Sequence, residues 1–145
     1  MMATEAILQE ISVQVGADLS TNQFFGVKIN SSGVLVLAGA GEQAFILQNK
    51  PDNSRQTTGN IAIGGKSKCV LGGTVAAGDF AAVNATGKFI KAVAANLANV
   101  DAASVSITEP VKGSHIVGQF TSGGAANEIV DLLILNLGLI PGTVQ

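Results

Sequence analysis

VNATGKF, residues 83–89, reads as the bend of a β-hairpin, and INSSGVL, residues 29–35, repeats it. Asn84 and Asn30 open the two bends, where an Asn side chain can bond the backbone ahead of it. Gly87 and Gly33 close them, where the chain needs a left-handed residue before the return strand. The flanks agree. Val27 and Ile29 alternate with polar neighbours before one bend, and Val34–Leu37 is a solid apolar run after it. Leu35 then matches Phe89, and Ala38 matches Ala92. Two hairpins on one plan imply a compact β-structure, because a solenoid needs at least about three repeats.

Working outward, turn residues punctuate short apolar runs along the chain. Gly78-Asp79 marks a tight turn before the second hairpin. Residues 42–49 read as a strand and residues 50–59 as an exposed loop. Residues 60–71 read as two strand pieces, with Gly64-Gly65 as a bulge or bend between them. Residues 114–122 read as another strand. Residues 128–137 read as the longest, central and covered on both faces. Residues 93–105 are Ala-rich and fit at most one short helix. Residues 3–11 fit a helical turn or an extended arm, and Ser12–Val15 alternates like a strand with no local hairpin partner. The expectation is an all-β domain, a small β-barrel or β-sandwich-like body of about eight short strands. An N-terminal arm spans 1–15, the body 16–137 and a tail 138–145.

Charged residues make up 12% of the chain, against roughly 25% in an ordinary soluble domain. Mean hydropathy is +0.43, yet no apolar run reaches the ~18 residues of a membrane helix. So little charge implies that subunits or a partner cover part of the surface. Net charge is −2, with no Trp or Tyr and no basic run, which sets nucleic-acid binding aside. The N-terminus lacks a basic segment ahead of an apolar one, so no secretory signal is expected. Cys69 stands alone, which excludes an intramolecular disulfide, and its flanks place it in the core. GNIAIGGKS, residues 59–67, imitates a phosphate loop. Its first glycine is one position early, and no helix-forming segment follows. His115 is the only histidine, and no nucleophile motif accompanies it. Asp131 interrupts the apolar C-terminal run; if buried, it needs a donor. No enzyme activity, cofactor, metal or small-molecule substrate is expected.

Three blocks in order carry a resemblance. They are GADLSTNQFFGVKINSSGVLVLAGAGEQAFILQNKP, then GGTVAAGDFAAVNATGKFIKA, then IVGQFTSGGAANEIVDLLI. Together they resemble the bacteriophage head decoration, or capsid cement, proteins over roughly residues 13–136. The resemblance implies a non-enzymatic homotrimer on the outside of a phage head, made in the host cytoplasm and bridging copies of the major capsid protein. Asn30, Gly33, Gly78, Asp79, Asn84 and Gly87 would set strand register. Ile7, Leu8, Ile11, Val13 and Val15 of the arm would contact the capsid by strand addition. A phage tail or host-surface binding module is the alternative. A biotinyl- or lipoyl-like carrier is a lesser one: Val75–Asp79 fits its corner, but the bend offers no lysine at its tip.

Overall fold

A computed structural model describes residues 5–92 and 114–139. Nine strands follow in order: β1 (Ala6–Gln14), β2 (Gly26–Ile29), β3 (Leu35–Leu37), β4 (Phe45–Leu47), β5 (Thr58–Val70), β6 (Phe80–Val83), β7 (Phe89–Lys91), β8 (His115–Phe120) and β9 (Ile129–Leu139). There is no helix among the described residues; the helix expected near 93–105 lies outside them. The strands form one sheet in the order β3-β2-β4-β5-β9-β8-β6-β7, with β1 paired to β5. All strand pairs are antiparallel. The sheet curls, because Val15 bridges Leu35 and Leu71 bridges Phe89. It is the barrel-like form of the expected architecture.

The sheet is built from one unit used twice. β1, β2, β3, β4 and the first half of β5 make the first unit. The second half of β5, then β6, β7, β8 and β9, makes the second. Pairings correspond one to one. Gly26 faces Ile46 as Phe80 faces Gln119, and Leu47 faces Ile61 as Phe120 faces Leu132. The cores correspond as well. Val15, Leu19, Val27, Leu35, Leu47 and Ile61 form one cluster. Leu71, Val75, Ala81, Phe89, Phe120 and Leu132 occupy the matching positions in the other. Sequence legible at two bends therefore extends to whole units. It went unseen elsewhere because a core position asks only for apolar volume, and Leu replaces Phe freely at that level.

Corners lock the second unit to itself. Leu71 N–H donates to the Glu128 carbonyl, and Phe120 N–H donates to the Asp79 carbonyl. Val75 and Gly124 exchange both of their backbone bonds. In the first unit the same corner passes through Phe24, whose φ of 66° matches 89° at Gly78 and 69° at Asn127. A bulky residue in that region is uncommon. Here the backbone bonds of Phe24 to Leu47 and Val70 hold it.

Several expected elements come out differently. β5 is a single strand of 13 residues, the longest among the described residues; β9 has 11. Gly64 and Gly65 lie inside β5, where Gly65 adopts φ 87° and the register with β1 shifts. The interruption therefore bends a strand without ending it. β9 is covered on one face only, because Ile129, Leu133 and Leu135 remain exposed. Continuous apolar patterning cannot separate two buried faces from one buried and one partner-facing. β1 is strand throughout, and β5 is the partner that no local hairpin supplied.

Candidate functional site

The bends come first, since they position everything else. The Asn84 side-chain oxygen accepts from the N–H groups of Thr86 and Lys88 at 2.9 and 3.0 Å. Asn30 accepts from Ser32 and Val34 at 2.9 and 3.3 Å. Gly87 and Gly33 hold φ 79° and 76°. Their surroundings differ. Gly33 has no atom near a would-be Cβ, whereas at Gly87 a Cβ would lie 3.0 Å from the Gly26 carbonyl oxygen and 3.1 Å from Leu37. The Gly87 carbonyl also accepts the Gly26 N–H at 2.7 Å. The second hairpin therefore plugs into the first unit. Gly87→Ala is expected to destabilise by about 2–3 kcal/mol, and Gly33→Ala by about 1 kcal/mol, the left-handed penalty alone. Urea unfolding of the two variants checks the difference.

Carboxylates close three turns of one design. Asp79 accepts from Ala76 N–H, Glu42 from Gly39 N–H and Glu128 from Ala125 N–H. Each follows a residue with positive φ: Gly78, Gly41 and Asn127. Only Gly78-Asp79 was legible as such; GAGE (39–42) and AANE (125–128) carry the same signal. Lys91 pairs with Asp79 at 3.0 Å and Lys28 with Glu42 at 2.7 Å. The Ala76 N–H, then Lys91, hold Asp79 below its ordinary pKa. Lys28, then the Gly39 N–H, do so for Glu42. The Ser20 hydroxyl, then the Ser20 N–H, lower Asp18. The N–H groups of Ser54, Gln56 and Arg55 bring Asp52 down to about 2. Each folded pKa lies below its unfolded value of about 3.9–4.3. The stability these groups contribute is thus complete only above their unfolded values, from about pH 5 upward, and is lost as pH falls through each lowered folded value, which for Asp52 is about 2. The urea midpoint should hold near neutrality and drop across that window.

An apolar face crosses the second unit. Phe80, Gln119, Leu133 and Lys66 form one cross-strand row, and Ala6 of β1 continues it. Beside it, Ile129 faces Val70 and Asp131 faces Lys68. Phe80, Ile129, Leu133 and Leu135 are exposed, although each is large and apolar. Asp131 lies among them yet is buried. Lys66 pairs with it at 3.5 Å, and its N–H donates to Ser122 Oγ. The lysine supplies the donor that a buried carboxylate needs. Sequence alone missed this face because Phe80 and Leu133 adjoin only through β8.

The arm residues are distributed along β1. Ile7 and Val13 are half-buried against the two cores. Ile11 is exposed, and Val15 is buried just past the strand end. Leu8 falls at the register shift between Ile7 and Gln9. His115 opens β8 beside an open depression shared with Lys28, Glu42 and Phe45. Burial lowers its pKa. Cys69 is fully buried, and burial pushes its thiol pKa far up. Among the described residues no group of three or more His, Cys, Asp or Glu could hold a metal. Lys88 donates to Asn127 at 2.7 Å and lies over the Phe25 ring.

No family model matches the chain, and no curated protein does. Among solved structures the chain is similar to the N base of the head fiber protein gp8.5 of bacteriophage phi29. The TM-score is 0.57 at 12% identity, covering 92% of this chain and 98% of that one. The two share a fold over nearly their whole lengths.

Proposed function

We propose that this chain is a non-enzymatic structural protein of a phage virion, attached to the outside of the head. The observation that carries this reading is the likeness to the head fiber base, which spans nearly all of both chains. Composition supports it. Low charge suits a protein whose surface is shared with partners, since interface cores are depleted of charge. Geometry supports it too: Phe80, Ile129, Leu133 and Leu135 leave an apolar face exposed, and Ala6 of β1 continues its cross-strand row. On this reading the major capsid protein is the partner. The finer role is cement, in which a homotrimer bridges neighbouring capsid subunits and resists internal pressure.

β1 is the proposed capsid contact. Gln9, Glu10, Ile11, Ser12 and Gln14 are exposed along it, and its backbone pairs with β5. Such a strand can extend a partner's sheet edge. Removal of residues 2–11 is expected to abolish sedimentation with purified heads while circular dichroism stays β-rich. Undiminished co-sedimentation of the truncated chain would overturn the arm's role. Failure of the full chain to bind any head, empty or expanded, would overturn the function.

The fiber base itself suggests the second reading, an anchor for a further appendage. The two differ in a measurable way. Cement raises the temperature at which heads release DNA; an anchor binds without that effect.

A further inference from the structure

The joint between the two units has two leftover halves. Inside the chain, Val83 sits on Gly26: a Cβ built on Gly26 would meet Val83 Cγ1 at 2.6 Å. Val83 is the residue just before the second bend, and Gly26 opens the strand that receives it. The unit repeat places Ile29 at the Val83 position, since each precedes its Asn and faces the first residue of the return strand. It places Phe80 at the Gly26 position, since each heads the matching strand. Val83 is 1% exposed in the joint, but Ile29 is 45% exposed and Phe80 43%. Among the described residues, Ile29 has no earlier unit's strand head to seat on at the plug side, and Phe80 receives no later unit's hairpin at the socket side. A large apolar residue stands solvent-exposed at each half that the described residues leave unused.

We infer that copies of this chain join head to tail, with the first hairpin of one copy, led by Ile29, seated against Phe80 of the next. The internal joint is the template for the contact, which makes a second copy the occupant. The match is one of position, not of backbone approach. At Gly26 the missing side chain lets the Gly87 carbonyl reach the Gly26 N–H. At Phe80 a ring fills that space, so the contact between copies is made by side chains. Such a contact is heterologous. It closes into a ring when the rotation between copies divides a full turn and runs on as a filament when it does not. The inference rests on the internal repeat and stands apart from the proposed capsid role.

Two single-cysteine variants test it, Ile29→Cys and Phe80→Cys. Both sites are exposed, and the native Cys69 is buried. Mixed and oxidised, the two variants should form a disulfide-linked heterodimer, while neither forms one alone. Sedimentation adds a second readout. Phe80→Ser and Ile29→Ser should each weaken assembly by about tenfold, and the two together no more than one alone at the shared joint. Crosslinking of either variant to itself in preference to the mixture would overturn the inference. So would a wild-type chain that stays monomeric at every concentration. Loss of assembly with head binding intact would leave the proposed function standing, and the reverse would leave the joint standing.

Discussion

Gly118→Ala is expected to cost about 3 kcal/mol or more and to prevent folding in a destabilised background. Gly118 lies in β8 opposite Ile134, where the register with β9 shifts after Ile116. A Cβ there would overlap the Leu133 carbonyl oxygen, with the Leu133 carbonyl carbon at 3.0 Å and Ile134 Cα at 3.3 Å. All three are backbone atoms of a paired strand. A flexible side chain could swing aside, but a ladder can yield only by breaking bonds. Overpacking usually costs about 1–3 kcal/mol, and a backbone obstacle places this case at or above that range. Gly118 is also buried and paired on both sides, to β6 and to β9. Urea unfolding of the variant measures the loss. A shift under about 1 kcal/mol would mean that the bulge can relax.

Phe89→Ala is expected to destabilise by about 3–5 kcal/mol. Phe89 is fully buried and bridges Leu71, so it closes the roll of the second unit. Leu35 holds the matching place in the first unit, bridging Val15. Leu35→Ala should cost about 2–5 kcal/mol. The pair tests more than cavity size. β5 belongs to both units, and the second hairpin is bonded to Gly26 of the first. Both variants should therefore unfold in one transition, seen alike by circular dichroism and by exposure of the Cys69 thiol. Two separate transitions after Leu35→Ala would show that the units fold independently.

What could be read in advance follows what is local. Asn30 to Gly33 and Asn84 to Gly87 announce their bends because the bonding partner is two to four residues away. Residue types alone specify such geometry. Asp79 was legible for the same reason. Glu42 and Glu128 form the same turn, closed by an i to i+3 carboxylate bond like that of Asp79. β1 is the opposite case. Its partner, residues 58–66 of β5, lies far along the chain, and its alternation has no feature that names that partner.

By itself the sequence determined the class: all-β, with bends at set places, the strand identities near them, a buried Cys69 and a surface poor in charge. Those are matters of φ preference, alternation and composition, and each is settled within a few residues. Tertiary structure alone decided that two units share β5, that the second bend plugs onto Gly26, and that Phe80, Ile129 and Leu133 share one exposed face. It also chose Lys66 as the partner of Asp131. Register between distant strands sets all of these. A one-residue slip would turn every side chain of a strand to its other face, and only the packed core excludes that slip.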